Sequence, residues 1–179
     1  MSDTQITVAK TAGFCFGVDR AVQMVYRLLE QGQRVCTLGP IIHNPQLVQQ
    51  LADRGVLTVE TPEQVPPGYT LVIRSHGVPQ AVYKQLERRG IRYADATCPF
   101  VSKIHKTVAR HTSAEIPTLI AGDPKHAEVI GICGYAKGPV YCIQDENELS
   151  ALLRAQPQLR RQPVCVVAQT TFNAKIWEK

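Results

Sequence analysis

The sequence predicts an α/β protein built from repeated small units, with mainly parallel sheets and flanking helices. Three observations carry this. Short β-rich runs alternate with stretches whose apolar residues recur at helical spacing. Glycine, proline and capping residues punctuate the alternation. A cysteine-headed phrase occurs twice, as "GFCFGVDRAV" from Gly13 and "ATCPFVSKIHKTV" from Ala96, each opening a unit of similar layout.

The elements follow in order. A strand is read in "QITVAKT" (5–11), then a helix in "VDRAVQMVYRLLEQG" (18–32) and a strand in "RVCTL" (34–38). Asn44 can cap the next helix, with Pro45 at its first position and Gly55 beyond its end. Strands are read in "VLTV" (56–59) and "YTLVIR" (69–74). Pro79 opens a helix that Gly90 closes, and "IRYADA" (91–96) is a strand. The second unit repeats the pattern. Helical "PFVSKIHKTVARH" (99–111) precedes strand "IPTLIAG" (116–122), and helical "HAEVIGICGYAKG" (126–138) precedes strand "PVYCI" (139–143). Asp145 can cap the helix in "ENELSALLRAQ" (146–156), and "PVCVVAQ" (163–169) is the last strand. Strand, helix, strand in this order requires crossovers, hence parallel pairing. The chain ends on "FNAKIWEK", which reads as the opening of a helix, so the expectation is a shortened piece of a longer protein.

The formal charge is +5, which favours anionic partners. The excess is spread along the chain, without a basic block interleaved with aromatics, so a small anionic ligand is favoured over nucleic acid. No leader pattern opens the chain, and no apolar run approaches the roughly 20 residues that span a bilayer. A cytoplasmic protein with no membrane partner is expected. None of the six cysteines forms C-x-x-C, and in that compartment disulfides are not expected.

The repeat extends beyond the phrase. His43 follows Cys15 by 28 positions, and His126 follows Cys98 by 28. Later in each unit a strand ends in a polar tip, Ser75–His76 in the first and Thr170–Thr171 in the second. In parallel α/β units such tips gather at the carboxyl edge of the sheet, where ligands bind. The units are expected at 15–97 and 98–179, with 1–14 supplying a strand to a third unit that would follow residue 179. Cys15 and Cys98, between strand and helix start, suit metal ligation or nucleophilic attack. Cys36, Cys133, Cys142 and Cys165 read as packed thiols. His43, His76 and His126, at strand-to-helix junctions, can form an anion site without a glycine-rich phosphate loop. His105 and His111 read as surface residues. From the residues alone Glu128 reads as a solvated helix-start carboxylate, and Thr170 and Thr171 as ligands of a hydroxyl or caps of the last helix.

Six phrases, in order and spanning almost the whole chain, resemble the 4-hydroxy-3-methylbut-2-enyl diphosphate reductase (IspH/LytB) family. They are "AGFCFGVDRAV", "LGPIIHNPQLV", "VIRSHGVP", "DATCPFVSKIHK", "GDPKHAEVIG" and "AQTTFNAKIW". The resemblance implies two lobes of a three-lobed trefoil around a [4Fe–4S] cluster. It implies the terminal step of the non-mevalonate isoprenoid pathway, reductive loss of an allylic hydroxyl giving isopentenyl and dimethylallyl diphosphates. Cys15 and Cys98 then match two of three cluster ligands, leaving one iron open. His43, His76 and His126 match the diphosphate ligands, Glu128 the proton donor and Thr170 the threonine beside it. Ferredoxin or flavodoxin is the implied electron donor. The third cysteine ligand is absent from this chain, and Cys165 does not replace it. The chain alone is therefore expected to be inactive. Two other classes stay open: a cluster-free α/β unit with at most weak anion binding, and a transferase using Cys15 as nucleophile.

Overall fold

The computed structural model describes residues 6–10 and 12–178. The first sheet holds β1 (Arg34–Leu38), β2 (Leu57–Val59), β3 (Tyr69–Ile73) and β4 (Tyr93–Asp95) in the order β2-β1-β3-β4, all parallel. Helices α1 (Phe16–Glu30), α2 (Pro45–Asp53) and α3 (Gln80–Arg88) connect or flank them. The caps form as the sequence dictates. The Leu47 amide donates to Asn44 Oδ1 at 2.9 Å, and Gly55 and Gly90 take positive φ just past their helices.

Alternation along the strands divides the first core in two. Val35 and Val72 face Ala21, Val25 and Leu51 of α1 and α2. Cys36, Leu71 and Ile73 face Leu86 of α3. Burial on both faces explains why these strands read as unbroken apolar runs.

The second sheet holds β5 (Thr118–Ala121), β6 (Val140–Ile143) and β7 (Cys165–Ala168) in the parallel order β6-β5-β7. Helices α4 (Pro99–His111) and α5 (Ala127–Cys133) cover one face, where Val108, Val129 and Ile132 pack on Ile120, Cys165 and Val167. Helix α6 (Glu146–Ala155) is capped by Asp145 Oδ1, which accepts from the Glu148 amide at 2.9 Å. The chain closes on the single turn α7 (Ala174–Trp177), capped by Asn173 and not by Thr170 or Thr171. Among the described residues no helix is long and apolar enough to cross a membrane.

Three expectations change. The α5 helix stops at Cys133 rather than running to 138. Gly131 and Gly134 weaken it, and the chain then turns to bring Tyr135 against His105. His105 is buried, 2% exposed, stacked on the Tyr135 ring with centroids 4.2 Å apart, so the surface reading of it is wrong; His111 is exposed. The strand read at 5–11 lies partly outside the described residues, and residues 6–9 belong to no sheet.

Candidate active site

Parallel pairing levels the strand tips. Leu38 pairs with Ile73 and Ala121 with Ala168, so the segments after β1, β3, β5 and β7 leave their sheets at matching heights. Those segments carry His43, His76, His126 and Thr170. Two backbone bonds, Ala96 N to Ile73 O at 3.0 Å and Cys98 N to Ser75 O at 2.9 Å, run the segment between β4 and α4 along the tip of β3. Helix α4 therefore starts at the site rather than away from it.

Cys15 and Cys98 occupy the N-cap positions of α1 and α4, and neither side chain caps its helix. Their sulfurs are left for other partners. A Cβ built on Gly17 would lie 2.5 Å from Cys98 Sγ, so the sulfur of the second unit rests on the first turn of the helix that Cys15 opens. Only glycine leaves room there. Both cysteines line one cavity of about 640 Å³, together with His43, His76, His126, Glu128 and Thr170. The structure thus brings together all seven residues singled out in the sequence. The other four thiols lie elsewhere: Cys36 is 0% exposed, its thiol pushed up to about 11 by burial, and Cys165 points into the core of the second sheet. Native iodoacetamide labelling should modify exposed Cys15 and spare Cys36 until the chain unfolds, read by peptide mass.

The three imidazoles form a tripod. Ring centroids are 4.9 Å apart for His43–His76, 5.2 Å for His76–His126 and 5.7 Å for His43–His126. One nitrogen from each lies within 4.8 Å of the others. That spacing suits either a metal or an anion, and the hydrogen bonds discriminate. His126 Nδ1 accepts from the Glu128 amide at 3.2 Å, so its lone pair is used and Nε2 carries the proton. His126 presents an N–H, which an anion wants and a metal does not. His76 is held down to about 4, chiefly by burial and then by His43, His126 and Arg74. It is neutral at pH 7, and its buried Nδ1 has no protein partner among the described residues. Arg74 follows β3 with its guanidinium against Gly39 and adds positive potential behind the tripod.

Glu128 is 2% exposed, not solvated, which corrects the reading from residues alone. Its Oε1 accepts from the Thr170 amide and its Oε2 from Thr170 Oγ1, both at 2.7 Å. Helix α5 thus delivers a buried carboxyl group to the tip of β7 beside the tripod.

The LytB protein family model matches residues 6–179. This chain belongs to the LytB family. LytB relatives include the 4-hydroxy-3-methylbut-2-enyl diphosphate reductases of Geobacter sp. strain M21, 41% identical over 93% of this chain, and of Thermoanaerobacter sp. strain X514, 39% identical over 97%. This chain spans 57% and 60% of their respective lengths. A solved structure of (E)-4-hydroxy-3-methyl-but-2-enyl diphosphate reductase, the terminal enzyme of the non-mevalonate pathway, superposes with a TM-score of 0.78 at 37% identity. It covers 97% of this chain, which covers 60% of it. The Plasmodium falciparum E-1-hydroxy-2-methyl-but-2-enyl-4-diphosphate reductase superposes at 0.80 with 26% identity, over 94% of this chain and 52% of its own. The fold of this LytB chain is therefore α/β with parallel sheets and flanking helices, as the sequence predicts.

Reading the sequence missed two residues that build the site. Gly17 lies just before the helix read at 18–32 and gives no signal that anything approaches its backbone. His105 gives none either, because its burial depends on partners in both units.

Proposed function

We propose that this chain is the part of a LytB reductase that holds the diphosphate, the proton donor and two of three cluster thiolates. The observation that carries this is the Glu128–Thr170 pair, buried beside a tripod of imidazoles in the cavity that both N-cap cysteines line. The substrate on this reading is 4-hydroxy-3-methylbut-2-enyl diphosphate. The products are isopentenyl and dimethylallyl diphosphates.

The roles follow from the groups. His43, His76 and His126 donate N–H bonds to diphosphate oxygens, aided by the Arg74 charge. Thr170 Oγ1 lies within reach of Glu128 and takes the substrate hydroxyl as its second partner. Glu128 gives a proton to that hydroxyl, so the C–O bond breaks and water leaves. Two electrons and a second proton complete an allylic C–H bond. A [4Fe–4S] cluster supplies the electrons when bound, received singly from a ferredoxin or flavodoxin. The donor set fits that group in part: two sulfurs free of capping bonds line one hollow, and one further thiolate must come from outside this chain. With 15–97 and 98–179 as lobes, residues 1–14 would contribute to a third. The chain alone is then inactive.

Anaerobic reconstitution with iron and sulfide tests the reading. The complete protein should turn brown, and Cys98→Ala should lose the visible absorption. In this chain, His43→Ala should weaken pyrophosphate binding by at least about tenfold, since one bond to a charged group is lost. A complete protein that stays folded and colourless supports the cluster-free alternative.

A further inference from the structure

His105 sits at a junction that the proposed chemistry does not use. It comes from the middle of α4, in the second unit, and is 2% exposed. Its ring meets three elements. On one side its Cε1 would lie 2.6 Å from a Cβ on Gly77, the residue after His76, which takes φ +70°. On a second side its Nε2 would lie 3.3 Å from a Cβ on Gly131, in the helix that His126 caps and that carries Glu128. Its ring face lies on Tyr135, interplanar angle 16°. The His76 carbonyl oxygen converges on the same point, 3.4 Å from that Gly131 Cβ position. His105 Nε2 is buried and has no protein hydrogen-bond partner among the described residues.

Two glycines therefore make room for one imidazole, which touches both the loop of His76 and the helix of His126 and Glu128. A buried polar nitrogen without a partner is costly, and a carbonyl oxygen facing the same glycine is its available acceptor. We propose that His105 is a positioning residue: its Nε2–H takes the His76 carbonyl oxygen and fixes the His76 loop against α5, so that the tripod keeps its spacing when an anion binds. Packing alone would need only the ring. The unpartnered nitrogen, with the His76 carbonyl oxygen against the same glycine, calls for the donor.

This rests on the anion reading of the tripod, yet one arm of its test needs no ligand. His105→Phe keeps a ring on Tyr135 and removes the donor. His105→Gln removes the ring and offers an amide N–H. Gly131→Ala leaves His105 intact and crowds both Nε2 and the carbonyl oxygen with a methyl group, 3.3 and 3.4 Å from them. Backbone amide exchange of residues 75–77 is measured in each, with thermal unfolding as the check on folding. His105→Phe should speed exchange at 75–77 by about two- to tenfold, the range set by one net hydrogen bond, with little change in the first sheet. His105→Gln should recover part of that protection, and Gly131→Ala should lose it. Pyrophosphate titration should follow the same order.

Exchange in His105→Phe equal to the parent's would overturn the donor role. So would equal losses in the Phe and Gln variants, which would leave packing as the whole effect. Should His105→Phe fail to fold, Gly131→Ala decides: parental exchange there overturns the proposal. A parent chain that binds no pyrophosphate counts against the anion reading, while the exchange arm still judges His105.

Discussion

Glu128→Gln should lower turnover of the complete reductase by about 10² to 10⁴, the usual contribution of a positioned proton donor. The substitution is close to isosteric. The Gln amide oxygen can still accept from the Thr170 amide, as Oε1 does at 2.7 Å, and the Thr170 hydroxyl can rotate to accept from the new NH2. The link between α5 and the tip of β7 thus survives, and what disappears is the transferable proton. Pyrophosphate affinity should stay within about twofold of the parent, because the tripod and its cap on the residue-128 amide are untouched. The cluster spectrum should be unchanged. Thr170→Val is the companion measurement. It removes one bond to Glu128 and the contact to the substrate hydroxyl, yet leaves the carboxyl group, so its loss should be smaller. Parental turnover in Glu128→Gln would remove Glu128 from the chemistry, whatever its burial.

What was legible in the sequence was what neighbours along the chain decide. Asn44 and Asp145 cap their helices because each needs only an amide three positions on. Helix α4 spans 99–111 as read, because Cys98-Pro99 fixes its start. The cysteine-to-histidine repeat carried more than local information. Equal spacing in two units implies equivalent placement at two sheet edges, and both cysteines and all three histidines reach one cavity. What stayed hidden was set by contacts between the units or across long loops. Glu128 reads as solvated until Thr170, 42 positions away, closes on it. His105 has an ordinary place in an amphipathic helix, and its burial depends on Gly77 in the other unit and on Tyr135 beyond α5. Gly17 is unremarkable until Cys98 Sγ arrives against it. The site was visible as residues, and its electrostatics were not, because burial is a tertiary property.

That burial makes acid the second large perturbation. His76 and His105 are each held down to about 4 from an ordinary value of 6.5, with burial the leading cause in both. In the unfolded chain each imidazole takes a proton near pH 6.5, while in the folded chain each stays neutral until about pH 4. Between those values the unfolded state binds more protons, so stability falls as pH falls. It is fully present above about pH 6.5, drops through the window, and levels below about pH 4 as far as these groups are concerned. The loss is larger for buried His105 and is reduced by solvent screening at half-buried His76. The urea midpoint of this chain should therefore fall steeply from pH 7 to pH 4.5. The two histidines can be separated. His105→Phe removes its share at every pH in the window. Pyrophosphate should relieve only the His76 share, since an anion in the tripod favours the imidazolium, and the relief should vanish in His43→Ala. A midpoint that stays level from pH 7 to pH 4.5 would mean that neither imidazole is held neutral, and the tripod would then carry positive charge into its resting state.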